Sequence, residues 1–135
     1  MNILIVDDQI YVVAGIRKEI CWEKLGIQEV FTAYSAQEAR MVFEQHRIDI
    51  MLCDIEMPGE SGLDLFAWVN GQGFDTACIF LTAHADFGYA QTALTLGSFD
   101  YILQPARYEE IENSILRAKG QIYERRKEKH FYDYG

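Results

Sequence analysis

Cationic side chains are scarce in this chain. Twelve Lys and Arg stand against 21 Asp and Glu in 135 residues, a net charge of −9. That balance excludes nucleic-acid binding by the surface as a whole, because phosphate backbones are held by clustered basic residues. No apolar stretch approaches the ~20 residues of a membrane span. The N-terminus enters a strand pattern at once and leaves no room for a signal peptide, so a cytoplasmic location is expected. Cys21, Cys53 and Cys78 form no C-x-x-C pair. They read as small hydrophobes in a reducing compartment. Neither G-x-G-x-x-G nor G-x-x-x-x-G-K occurs, which removes the common nucleotide-binding loops. There is no internal repeat and no low-complexity segment. The length and the 50% hydrophobic content suit one domain with a single core.

What is present alternates. Strand-like runs lie near 2–7, 28–33, 48–54, 77–82 and 99–103, with amphipathic stretches between them. Val12, Val13, Ile16 and Ile20 recur at helical spacing. Ser35-Ala36-Gln37-Glu38 is a capping-box sequence ahead of Ala39, Val42 and Phe43. Leu63, Phe66 and Ala67 mark a third helix, and Ala90, Ala93, Leu94 and Gly97 a fourth. The fifth starts after Pro105 and carries Ile111, Ile115 and Ile122. Short links between alternating elements predict an α/β fold with helices on both faces of a parallel sheet. For five strands the expected architecture is flavodoxin-like and doubly wound, in the order 2-1-3-4-5 with five flanking helices.

That order places strands 1 and 3 side by side, and both end in acids. Asp7 and Asp8 follow Ile3-Leu4-Ile5-Val6, and Asp54 follows Ile50-Met51-Leu52-Cys53. A carboxylate at the end of a buried strand is costly unless its charge is offset. Three of them at the carboxyl edge of a sheet, where ligands of such folds gather, describe a hard-cation site best suited to Mg²⁺. Strand 4 ends at Thr82 and strand 5 at Gln104-Pro105, so every strand bordering the spot offers a polar side chain.

The segments Val6-Asp7-Asp8, Asp54-Ile55-Glu56-Met57-Pro58-Gly59, Ser61-Gly62-Leu63-Asp64, Leu81-Thr82-Ala83 and Tyr101-Ile102-Leu103-Gln104-Pro105 resemble, in order and spacing, the receiver domain of two-component response regulators. The resemblance covers residues 1–120, leaving 121–135 as a C-terminal helix extension or linker towards an output domain. Ala85–Ala90 and Phe99-Asp100-Tyr101 look most like receivers that precede an AraC-type helix-turn-helix domain. The resemblance implies a phospho-accepting signalling module rather than a turnover enzyme. Asp54 would be the phosphoacceptor, served by a sensor histidine kinase. Asp8, Asp54 and the backbone carbonyl of Glu56 would hold Mg²⁺, with Asp7 reaching it through water. Thr82 would donate its hydroxyl to the phosphoryl group, and Tyr101 would turn inward as Thr82 moves. Glu56 and His84 occupy positions that tune hydrolysis in the family, or are ordinary loop residues. The fourth helix, fifth strand and fifth helix would form the signalling face and a homodimer contact. DNA would be met only through the output domain.

One position departs from the pattern. The family's usual Lys before the Pro of strand 5 is Gln104 here. A neutral amide offers a hydrogen bond about half as strong as a charge-assisted one. Gln104 therefore also supports a second reading, a degenerate receiver that acts as an interaction module without phosphorylation. A lesser alternative is a Mg²⁺-dependent phosphatase of the haloacid-dehalogenase type, disfavoured because Asp54-Ile55-Glu56 follows the third strand rather than the first. Beyond Glu124 the last helix loses its apolar face, and Phe131, Tyr132 and Tyr134 have no predicted core to fill. Removing 124–135 is expected to leave the fold intact.

Overall fold

The computed structural model describes the backbone of residues 1–134 and the side chains through Lys129. Phe131, Tyr132 and Tyr134 therefore lie outside the described side chains. Strands β1 (Asn2–Val6), β2 (Glu29–Ala33), β3 (Ile50–Cys53), β4 (Ala77–Thr82) and β5 (Asp100–Leu103) alternate with helices α1 (Ile10–Glu19), α2 (Ala36–Gln45), α3 (Gly62–Gly71), α4 (Phe87–Thr95) and α5 (Tyr108–Tyr134). All strands are parallel, in the order β2-β1-β3-β4-β5.

Strand periodicity sorts the core into two layers. Ile3, Ile5, Ile50, Leu52, Ile79 and Leu81 face α1 and α5, meeting Val13, Ile16, Ile111, Ile115 and Ile122. Leu4, Val6, Met51, Cys53, Cys78 and Phe80 face α2, α3 and α4, meeting Ala39, Phe43, Leu65, Phe66 and Ala93. Every residue of β3 and β4 is buried, as continuous apolar runs covered on both faces should be. Ser35 caps α2 as its sequence suggests, its Oγ accepting from the Glu38 amide at 3.1 Å. The apolar stripes of α3 and α4 differ from expectation. Leu65, Phe66 and Val69 carry α3, with Ala67 exposed. In α4 only Ala93 is buried, and Leu94 is 77% exposed. Ala93 takes the inward face of α4, and Leu94, the next residue round the helix, faces outward.

The extension of α5 is not inert. Ile122 is fully buried, Arg125 pairs with Asp75 at 2.9 Å, and Arg126 donates to Asp49. Asp49 lies just before β3 with a 5% exposed side chain, and it also accepts from the Asn2 amide at 2.8 Å. Burial alone would raise its pKa. Arg126, the Asn2 amide and Arg47 outweigh burial and hold it below the ordinary value. The turn that carries Arg125 and Arg126 is thus tied to the amino-terminal edge of the sheet by charge rather than by an apolar face. Residues beyond Glu124 therefore add ion pairs to the fold, which the loss of an apolar face did not announce. Arg126→Ala is expected to lower the unfolding free energy at neutral pH by about 1–3 kcal/mol, the range for stranding a buried acceptor. Truncation before Glu124 should lose at least as much. A depressed carboxylate pKa stabilises above the unfolded-state value, so the deficit should shrink in urea titrations as the pH falls below the carboxylate range.

Candidate functional site

Register builds the site. Val6 is paired with Cys53, and Cys53 with Phe80, so β1 and β3 end level. The Asp54 amide donates to the Val6 carbonyl at 2.9 Å, and the Asp7 amide to that of Ala33 at 3.1 Å. The next residues on the two strands are therefore neighbours. Asp7, Asp8 and Asp54 each present a ligand atom within 4.8 Å of the others. An open cavity of about 700 Å³ holds these three together with Glu56, His84 and Gln104, and is walled by Tyr11, Val12, Pro105 and Tyr108.

Among the described residues, no Lys or Arg pairs with these acids; the arginine ion pairs fall on Glu60, Asp49, Asp100 and Asp75. The consequence is electrostatic. Burial, then the charge of Asp7, pushes the Asp54 carboxyl from its ordinary 3.8 up to about 7, while the Ile55 amide pulls weakly the other way. Asp7 is also raised, first by burial and then by Asp8, against a hydrogen bond from the Gln9 amide. Repulsion is thus real but second to desolvation. Asp100 shows what compensation does in the same sheet. Burial would raise it, yet Ser114, the Tyr101 amide and Arg117 hold it low. Three oxygen donors that no described Lys or Arg neutralises fit a hard divalent cation such as Mg²⁺.

The other expected residues divide. Gln104 lines the cavity, and its Oε1 accepts from the Ala106 amide at 3.0 Å, leaving the NH₂ end to donate. Thr82 is fully buried at the end of β4 and does not form the cavity wall; its Oγ1 accepts from the His84 amide at 3.2 Å. Tyr101 is half-buried outside the cavity, its hydroxyl donating to the His84 carbonyl at 3.2 Å. Glu56 and His84 pair at 2.8 Å, so they are partners rather than independent loop residues.

Two residues acquire roles that sequence reasoning did not assign. Gly62 opens α3 hard against β3, its amide donating to the Ile55 carbonyl at 2.8 Å. A Cβ there would lie 2.0 Å from the Asp54 carbonyl oxygen and 2.9 Å from Cys53 Sγ. The only signal was a glycine at a helix start, where Ser61 already supplied the cap. Tyr89 is the second. Its hydroxyl donates to Glu56 Oε1 at 2.6 Å, 33 residues away in sequence, and local pattern holds no trace of that.

Three outcomes are expected. Gly62→Ala should destabilise by about 1–3 kcal/mol in urea unfolding, since the clash is with backbone that cannot step aside. In metal-free buffer, the raised pKa of Asp54 means that the native state binds more protons than the unfolded state between 3.8 and about 7. The thermal midpoint should fall across that window and level off above it. At the upper plateau Asp7→Asn should melt higher than Asp8→Asn, because Asp7 acts more strongly on Asp54. The reverse ranking would contradict this account.

Comparison with known proteins agrees with the geometry. The family described as response regulator receiver domain matches residues 3–116. The transcriptional regulatory protein MalR of Bacillus subtilis is 30% identical over 125 residues, 91% of this chain and 53% of that protein. A response regulatory protein of Staphylococcus epidermidis is 28% identical over 114 residues, 84% of this chain and 45% of its own length. The chain spans about half the length of these curated relatives. Among solved structures, the REC domain of AraT, a response regulator from Geobacillus stearothermophilus, has a TM-score of 0.84 at 28% identity, covering 93% of this chain and 97% of that one. A two-component transcriptional regulator AraC from Clostridium phytofermentans shares the fold, with a TM-score of 0.85 at 23% identity over 92% of this chain and 96% of that one. Agreement in both sequence and fold over most of the chain leaves the phosphatase reading without support, and the chain belongs to the response regulator receiver domains of two-component systems.

Proposed function

We propose that Asp54 accepts a phosphoryl group from the phosphohistidine of a sensor kinase, in the cytoplasm, and that the modification switches an output domain regulating transcription. The observation that carries this reading is the trio of carboxylates within 4.8 Å at the level ends of β1 and β3. A carboxylate can serve as the nucleophile of an aspartyl phosphate. One Asp54 oxygen bonds to phosphorus as the bond to the donor nitrogen breaks, and the leaving imidazole keeps the electron pair. Asp54 Oδ1 already accepts from the Ile55 amide at 2.9 Å, which fixes the plane of the carboxylate. Phosphoryl transfer passes through a loose, charge-dispersed transition state, so orientation and charge compensation carry most of the catalysis.

Asp8, Asp54 and the Glu56 carbonyl would hold Mg²⁺ directly, with Asp7 reaching it through water. Bound there, Mg²⁺ supplies the positive charge that keeps the acids ionised and offsets the phosphoryl oxygens. The chain's own residues do the rest. Thr82 would release its contact with the His84 amide to donate to the phosphoryl, and Tyr101, tethered to the His84 carbonyl, would register that movement. Gln104 would add a hydrogen bond from its NH₂ end. The exposed Phe87 and Leu94 on α4 and Leu103 on β5 suit a signalling face, including a homodimer. The 30% identity to the transcriptional regulatory protein MalR supports an output that regulates transcription, and the resemblance of Ala85–Ala90 and Phe99-Asp100-Tyr101 to receivers that precede AraC-type domains favours a helix-turn-helix.

Phosphorylation shifts the two states only by its differential interaction with each. A Lys at 104 would contribute a charged hydrogen bond of ~1.5–3 kcal/mol. Gln104 should supply about half of that, and a deficit of ~1.4 kcal/mol is tenfold in the active-to-inactive ratio. Incubation with Mg²⁺ and acetyl phosphate is expected to give a stable mass adduct on Asp54, lost in Asp54→Asn. Beryllofluoride should populate the active state incompletely in the wild type and more fully in Gln104→Lys, read by Tyr101 ring resonances or dimer fraction. No adduct and no beryllofluoride binding would favour the degenerate receiver. Equal and complete switching in both proteins would show that Gln104 replaces Lys fully.

A further inference from the structure

Glu56 differs from the other residues of the site in acting through its backbone, so whatever holds its side chain also helps place its carbonyl. Both carboxylate oxygens are taken. His84 Nε2 lies 2.8 Å from Oε2, and the Tyr89 hydroxyl donates to Oε1 at 2.6 Å. The two partners come from different segments, His84 from the β4–α4 link and Tyr89 from the first turn of α4. Tyr89 is itself well fixed. Its amide donates to the capping carboxylate of Asp86 at 3.0 Å, and its ring packs on the core layer beneath α4. The other end of the same loop is held independently, where Glu60 pairs with Arg40, whose guanidinium lies 5.1 Å from the Trp68 ring centroid. Gly59, at φ +84°, separates the two anchors.

We propose that Tyr89 is a positioning residue of the divalent-cation site. Through Glu56 it sets the loop whose carbonyl completes the site, and it joins α4 directly to cation binding. The inference rests on the reading of Asp7, Asp8, Asp54 and the Glu56 carbonyl as that site. A solvent-exposed hydrogen bond adds little to stability. Its effect therefore belongs in affinity, where a lost partner that orients a ligand typically weakens metal binding by 10–100-fold. Because coupling is reciprocal, a cation that tightens the Glu56 loop must also act on the first turn of α4. This route runs beside the one through Thr82 and Tyr101, and it needs no phosphoryl group.

The test is a Mg²⁺ titration of the whole chain by calorimetry and by amide resonances, in wild type, Tyr89→Phe and Glu56→Gln. Phe keeps the ring on the core and removes only the hydroxyl. Gln keeps an oxygen for Tyr89 to donate to. Tyr89→Phe is expected to raise the Mg²⁺ dissociation constant about tenfold, the low end for such partners given the exposure. Its metal-free thermal midpoint should match wild type, and the affinity of Glu56→Gln, which keeps one of the two acceptor oxygens, should fall between wild type and Tyr89→Phe. Mg²⁺ should shift the amides of Phe87–Ala90 in wild type and much less in Tyr89→Phe. Unchanged affinity and unchanged α4 shifts in Tyr89→Phe, with wild type binding Mg²⁺, would overturn the proposal alone. A lower metal-free midpoint with unchanged affinity would overturn it too, assigning Tyr89 to stability. Failure of wild type to bind Mg²⁺ would overturn both this inference and the cation site itself.

Discussion

The unneutralised charge at the carboxyl edge of the sheet is the constraint from which the rest follows. In-register pairing of β1 with β3 forces Asp7, Asp8 and Asp54 into one small volume, and partial burial removes the water that would otherwise solvate them. Asp54 is driven to about 7 as a result. A fold that holds three acids this way gives up stability to keep an acidic pocket at this edge.

The opposite edge of the same sheet treats acids differently. Asp49 is as deeply buried as any charged group in the described chain, yet Arg126, Arg47 and the Asn2 amide keep it ionised. Asp100, at the start of β5, is held low by Ser114, the Tyr101 amide and Arg117. Paired acids fasten α5 to the sheet; unpaired acids make the site. Burial is the largest single effect on Asp7, Asp49, Asp54 and Asp100 alike, so the sign of the net shift is decided by whether basic partners answer it.

Between the acids and the outer helices runs a short set of polar contacts centred on His84. Its amide meets Thr82, its carbonyl meets Tyr101 and its imidazole meets Glu56, which in turn meets Tyr89. Hydrogen bonds thus link the site directly to β5 and α4. Gln104 joins this edge as a weak member, because its carbonyl end is committed to the Ala106 amide and its charge is zero.

Local pattern determined a great deal. Apolar runs ending in acids named β1, β3, Asp7, Asp8 and Asp54, and strict alternation with short links led to the strand order, because few topologies satisfy both. Ser35 as a cap was legible because capping is a contact within one turn. What only the tertiary structure decided are contacts between residues far apart in sequence. These include Tyr89 with Glu56 and Arg126 with Asp49. The sequence marked the end of α5 as charged, but not that Arg126 had a buried partner 77 residues earlier. Helical periodicity likewise placed Leu94 on a stripe, while the structure leaves it exposed and buries only Ala93 of α4. Periodicity and capping act over a few residues, and the chain carries their signal locally. Pairing across elements depends on how the sheet stacks its helices, which no single segment encodes.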